Sequence, residues 1–335
     1  MTDPISLSKA PEDDNLSAFR LATQSVRRMQ REIGKALVGQ QDAVTQVLVS
    51  LLAGGHVLVE GVPGLGKTLL VRALAKTFGG TFNRIQFTPD LMPSDVTGHA
   101  LYDLKSEQFH VRRGPVFSHL VLADEINRAP AKTQAALLEA MQEYQVTIDG
   151  QACPLPRPFL VMATQNPIEQ EGTYPLPEAQ LDRFLLKVVI GYPTLQEEQR
   201  LLSLVTDGKM GDTLDIDALQ TLISPEELHA IQLLVAQVRI DPALRDYAAQ
   251  IVRSTRDWPG IDIGAGPRGG IALLRAARAS ALLDDRDYVI PDDIKQLAAP
   301  TLRHRLVLSP ELEMEGQHTD DVIAAILQSV AAPRV

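Results

Sequence analysis

No stretch of this chain approaches the ~20 consecutive apolar residues of a membrane-spanning helix, so no span is expected. Cysteine occurs once, as Cys153, which excludes an internal disulfide framework. The seven histidines show no ligand spacing with it. That usage fits a reducing, cytoplasmic location, with Cys153 a passive residue. Aromatic residues are only 4%, so a core has to be built from Leu, Val, Ile and Ala. Basic residues are outnumbered by acidic ones, 32 against 42, for a net charge of -10. A chain that coats nucleic acid presents a basic face, so DNA or RNA is not expected as the main partner. Met1–Arg20 is polar, lacks a signal-peptide core and reads as a flexible tail.

What is present is ordinary globular material: 45% hydrophobic and 22% charged over 335 residues. At ~100–200 residues per domain, two or three domains fit. From residue 21 to 192 short apolar runs alternate with helical stretches. His56–Glu60, Arg84–Phe87, Leu120–Asp124, Phe159–Ala163 and Leu185–Ile190 read as buried strands of a parallel α/β sheet. From residue 193 to 335 the pattern is helical. Thr194 with Glu197, and Ser224 with Glu227 after which Pro225 takes the first helical position, are capping boxes. Ala272–Leu283 is a further helix, and Ile290–Asp293 opens another. No internal repeat or low-complexity block interrupts the chain.

Gly61-Val62-Pro63-Gly64-Leu65-Gly66-Lys67-Thr68 follows one of these strands and opens a helix. This is G-x-x-x-x-G-K-[ST] in the context it requires. Its glycines let backbone N–H groups turn inward around an anion, and the helix N-terminus adds partial positive charge. Lys67 is placed to reach β- and γ-phosphates, and Thr68 to offer a hydroxyl to magnesium. The expected ligands are therefore ATP and Mg²⁺.

Leu120–Ala123 ends in Asp124-Glu125. Acids at the end of a buried parallel strand are costly unless they meet a cation or water. Asp124 suits magnesium held through its water shell, and Glu125 suits polarising an attacking water. Phe159–Ala163 runs into Thr164-Gln165-Asn166-Pro167, where the Asn166 amide can orient water or simply form a turn. Arg183, in Leu181-Asp182-Arg183-Phe184, reads by itself as a salt bridge with Asp182 or Glu178. Arg268 follows Pro267 at a helix start, where a cation opposes the helix dipole by roughly 0.3–1 kcal/mol. A nearby anion would remove that penalty, so Arg268 is either solvated or in contact with phosphate.

Taken with Ala123–Ala129 and Gln134–Met141, these motifs resemble the AAA+ ATPases, and more narrowly the MoxR family. The resemblance runs from about Phe19 to the C-terminus. It implies an αβα phosphate-loop core followed by a smaller, all-helical lid. It makes Asn166 sensor 1, Arg183 an arginine finger acting on a neighbouring subunit, and Arg268 the lid's sensor 2. Here Gly266-Pro267-Arg268 replaces the Ser-Pro-Arg common in the family. Val38 and Gly39 would line the adenine pocket, and Gly61, Gly64, Gly66, Lys67, Thr68 and Leu69 would bind the phosphates. Two additions fit the same subgroup and would face a pore or partner: an insertion at 88–113, and a hairpin at 143–157 turning at Asp149-Gly150.

The function implied is a chaperone-like remodelling ATPase. It would work as a homo-oligomeric ring, six subunits by family, on a protein carrying a von Willebrand factor A domain. A nucleic-acid motor or helicase loader, and a slow nucleotide-dependent switch, share the same ATPase parts. The insertion at 88–113 holds more acids than bases, unlike a phosphate-tracking surface.

Overall fold

The structure is a computed structural model and describes residues 12–62, 64–166, 173–206, 216 and 218–334. Pro63 of the phosphate loop and Pro167 lie outside these residues, as does Met1–Pro11. The chain opens with α1 (Glu12–Ala36) and α2 (Gln41–Leu52). The expected tail over Met1–Arg20 is corrected in part, because α1 already begins at Glu12. Phe19, Ala22, Val26, Met29 and Ile33 recur at helical spacing and are buried as one stripe. Thr23 and Arg27 on this helix donate to the carbonyls of Leu282 and Leu283 at 2.9 and 3.0 Å.

Next come β1 (Val57–Gly61), α3 (Lys67–Thr77), β2 (Phe82–Gln86), α4 (Pro93–Thr97), β3 (Gly98–Asp103), β4 (Gln108–Arg113) and β5 (Leu120–Asp124). They are followed by α5 (Ala131–Glu143), β6 (Gln145–Ile148), β7 (Gln151–Pro154), β8 (Leu160–Gln165), α6 (Glu178–Leu181) and β9 (Leu186–Ile190). Five of these strands form a parallel sheet in the order β2-β5-β8-β1-β9. The three central strands are the near-continuous apolar runs, as burial on both faces demands.

Side chains alternate between two cores. Val57, Val59, Leu122, Met162 and Val188 face α1–α3. Leu58, Val121, Ala123, Val161 and Ala163 face α4 and α5. The stretch at 88–113 holds α4 and an antiparallel ribbon, β3–β4, whose outer strand is exposed along its whole length. The second hairpin, β6–β7, turns at Asp149 and Gly150 with φ of 50° and 76°. Those angles suit the two-residue hairpin turn that an Asp-Gly pair favours. Val146 and Ile148 bury its inner face against the α5 side.

The remaining elements are α7 (Leu195–Thr206), α8 (Pro225–Gln237), α9 (Pro242–Asp257), β10 (Ile261–Ile263), α10 (Pro267–Leu283), α11 (Pro291–Leu302), β11 (Val307–Leu308), α12 (Pro310–Met314) and α13 (Thr319–Ser329). Both capping boxes form, with Thr194 N–H donating to Glu197 at 2.8 Å and Ser224 N–H to Glu227 at 2.6 Å. The lid is helical apart from the short β10–β11 ribbon, an addition that sequence periodicity does not reveal. Its apolar residues are continuous with the core on the α1–α3 side of the sheet. No helix among the described residues is long and apolar enough to cross a membrane.

Candidate active site

β1 delivers the chain to Gly61, where a Cβ would stand 2.7 Å from the Ile190 carbonyl oxygen of β9. Gly64 and Gly66 take the left-handed conformation, φ 85° and 77°, and nothing crowds Gly64. That conformation costs glycine little. α3 then starts at Lys67, with Thr68 in its first turn, so a curled loop leads straight into a helix N-terminus. Lys67 Nζ donates to the Gly61 carbonyl at 2.6 Å. Burial pulls the Lys67 pKa below the ordinary lysine value, while the negative fields of Asp124 and Glu125 oppose that pull. Leu69 packs against the core from the next position.

Val38 and Gly39 precede α2 and lie beside this loop. Gln40 Nε2 donates to the Leu65 carbonyl at 2.6 Å, and Leu37 Cδ2 comes within 3.5 Å of where a Gly66 Cβ would be. From the other side α7 closes in: a Cβ on Gly39, whose φ is 75°, would meet Glu197 Cδ at 2.7 Å. The segment assigned to the adenine is thus held between phosphate loop and lid.

The two acids stand at the end of β5. Strand order places β8 between β5 and β1, so Asp124, Asn166 and the phosphate loop share one edge of the sheet. Thr164 Oγ1 donates to Asp124 Oδ1 at 2.6 Å and accepts from the Glu125 N–H at 2.9 Å. Arg84 donates to Asp124 Oδ2 from Nε at 3.1 Å and from Nη2 at 2.6 Å. Glu125 has a left-handed backbone, φ 57°, and its Oε2 accepts from Gln86 Nε2 at 2.9 Å. Arg128 Nε is 3.2 Å from the same oxygen.

Arg183 and Arg268 occupy a different place. β9 runs parallel to β1, with Leu186 beside Val57 and Ile190 beside Gly61. Arg183 precedes β9 and so sits at the sheet edge opposite the phosphate loop. Five strand residues at ~3.3 Å each separate the two edges, about 16 Å. Arg183 Nη1 donates to the Leu138 carbonyl at 2.8 Å, and its buried Nε has no partner among the described residues. Its expected salt bridge with Asp182 or Glu178 does not form, because the Asp182 carboxylate turns to the lid. There it meets Arg305 Nε at 2.8 Å and Arg268 Nη1 at 3.9 Å. Arg268 and Arg183 line one cavity of about 320 Å³. Arg268 thus lies beside Arg183, at the edge opposite the phosphate loop, and the anion beside it is Asp182.

The loop, the helix N-terminus and the lysine fit a nucleoside triphosphate, and Thr68 with Asp124 fits its magnesium. Among the described residues no group of three or more His, Cys, Asp or Glu could hold a metal by itself. Magnesium bound to nucleotides needs no such group, since phosphates and waters complete its shell.

Thr164, Gln86, Arg84, Arg128 and Asp182 are contacts to which the sequence motifs give no role in this site. Thr164 lies two residues before Asn166, one past the run read as a strand at Phe159–Ala163, so an assumed β5–β8 pairing extended by one residue would have found it. Gln86 and Arg84 depend on β2 pairing with β5, which local sequence does not specify.

Comparison with known proteins shows the family. The family described as "ATPase family associated with various cellular activities (AAA)" matches residues 56–186, and the "AAA lid domain" matches 253–326. The chain is 52% identical to the uncharacterized protein YeaC of Bacillus subtilis, over 90% of this chain and 92% of that one. It is 46% identical to the chaperone MoxR1 of Mycobacterium tuberculosis, over 91% and 81%. A crystal structure of a Cytophaga hutchinsonii protein, 42% identical, superposes with a TM-score of 0.88 over 96% of this chain and 99% of that one. A phosphate loop, an acidic strand end and a helical lid, joined to these identities over nearly the whole length, make the chain a member of the MoxR family of AAA+ ATPases.

Proposed function

We propose that this chain hydrolyses ATP with magnesium only where two subunits meet, and uses the cycle to remodel a partner protein. The observation that carries this reading is the split site. Lys67, Thr68, Asp124, Glu125 and Asn166 stand at one sheet edge, and Arg183 and Arg268 at the other. A single chain has half of what γ-phosphate transfer to water needs, and a head-to-tail ring supplies the other half at every interface.

In that arrangement the loop N–H groups and Lys67 bind the phosphates, with Thr68 and Asp124 on the metal side. Magnesium held there would supply neutralisation of the charge on the phosphates. Glu125 orients and polarises the water once its carboxylate leaves Gln86 and Arg128, and Asn166 holds that water in line. The neighbour's Arg183 and Arg268 meet the charge that develops on the γ-phosphate. Such arginines act where charge grows in the transition state, so they raise turnover more than affinity.

The ring is a hexamer in the cytoplasm, and its partner carries a von Willebrand factor A domain. Chaperone naming of a 46% identical relative supports the remodelling role, and the net charge of -10 supports a protein client over nucleic acid. The partner is tested with purified Glu125→Gln protein held in ATP and titrated with isolated von Willebrand factor A domains. Binding that needs ATP supports the reading, and equal binding with ADP or no nucleotide contradicts it.

A further inference from the structure

Asp182 immediately precedes Arg183, and both of its carboxylate oxygens face lid arginines. Oδ1 accepts from Arg305 Nε at 2.8 Å, and Oδ2 lies 3.9 Å from Arg268 Nη1. The Arg305 side chain is only 3% exposed. It also donates to the carbonyls of Phe184 at 2.6 Å, Asp182 at 3.3 Å and Thr301. Burial disfavours the charge on Arg305, and Asp182 is the group that offsets it. A second tie lies beside the first. Arg275, two helical turns beyond Arg268 on α10, donates to the carbonyls of Ala53 and Gly54 at 2.7 and 3.0 Å. The residues that fasten the lid to the core thus surround the two arginines meant for the neighbouring subunit.

We infer that Asp182 is a positioning residue that, through Arg268 and the Arg305 anchor, presents the finger and the lid arginine as one preassembled unit to the neighbour's nucleotide. The inference rests on the two-subunit site proposed above. A carboxylate at this point does two jobs. It fixes the lid through a partly buried charge pair, and it stands beside Arg268 without engaging it tightly. At 3.9 Å the Arg268 contact is loose enough to be exchanged for a phosphate oxygen. Arg183, with Nε unpaired and Nη1 resting on a carbonyl, needs the adjacent backbone held still to aim at the same phosphate. Arg305 grips the carbonyls of both Asp182 and Phe184, the residues on either side of Arg183.

The test compares Asp182→Asn, Arg268→Ala and the double variant with wild type, reading ATP affinity, melting temperature and kcat separately. Asp182→Asn should leave ATP affinity within about twofold of wild type, because the phosphate loop is at the far edge of the sheet, and lower kcat at least tenfold. Adding Asp182→Asn to Arg268→Ala should cost less than it costs alone, since part of its effect runs through Arg268. Asp182→Glu keeps a charge for Arg305 while displacing it by one methylene. It should hold the melting temperature and still lower kcat, which covers the case in which the amide fails to fold. Unchanged kcat in both Asp182 variants overturns the inference. So does a kcat loss that simply tracks lost ATP binding and melting temperature, or full additivity with Arg268→Ala. The two-subunit site stands or falls separately, on Arg183→Ala mixed with Glu125→Gln.

Discussion

Thr164 on β8 donates its hydroxyl proton to Asp124 on β5 at 2.6 Å while accepting the backbone N–H of Glu125 at 2.9 Å. One buried threonine therefore sets the direction of the Asp124 carboxylate and the backbone of Glu125, the two acids proposed to face the metal and the attacking water. Threonine suits the position because it is β-branched, as a central strand favours, and still carries a donor and an acceptor.

Thr164→Val keeps the shape and removes both hydrogen bonds. A hydrogen bond to a charged group is worth about 1.5–3 kcal/mol, so kcat should fall roughly 10- to 100-fold with the fold retained. Steady-state ATPase assays and thermal melts of the variant check this. Wild-type turnover would show that Asp124 is oriented without Thr164.

Lys67→Ala should remove stabilisation by ATP–Mg²⁺. Lys67 is half-buried and faces Asp124 and Glu125, so without nucleotide its charge already offsets two acids. Ligand-induced stabilisation follows RT ln(1 + [L]/Kd), so a melt with and without ATP–Mg²⁺ reads the affinity directly. A shift as large as wild type would remove the lysine from phosphate binding.

His56 gives a pH prediction. It is buried, its Nε2 meets the Met141 carbonyl at 3.0 Å and its Nδ1 accepts from Val161 N–H at 3.0 Å. Burial pushes its pKa from 6.5 down to about 4. The unfolded chain binds the proton first as pH falls, so His56 contributes its full stability above pH 6.5 and loses it progressively toward pH 4. The loss is on the order of 3 kcal/mol at the acid end. Denaturant melts at pH 7 and pH 5 should therefore differ less in His56→Gln than in wild type. An equal difference in both proteins would mean that His56 titrates normally.

The phosphate loop, the acidic strand end and the five strands were legible locally, because each is a short pattern with its own chemistry or burial. Leu120–Asp124 is read to the residue, and the other four strands to within two residues. What stayed hidden depends on strand order or on distant docking. Gln86 reaches Glu125 only because β2 lies beside β5. Asp182 meets Arg305 across 123 positions of sequence. Arg268 was legible as a helix-start cation, but the sheet edge it faces is set by how α10 and α11 dock. The tail expected over Met1–Arg20 was too long because acids near Asp13 mask a stripe that closes at Phe19.

The most direct measurement of the two-subunit site mixes two inactive proteins. Arg183→Ala keeps an intact phosphate-loop edge and has no finger to give. Glu125→Gln has a dead edge and a good finger. An arginine finger is typically worth roughly 10³–10⁵ in rate, so Arg183→Ala alone should bind ATP and scarcely turn it over. In a randomly mixed ring about one interface in four pairs the intact edge with the good finger. The mixture should regain ATPase activity that neither protein has by itself. No recovery from subunits shown to exchange, or full activity of Arg183→Ala alone, would contradict the account.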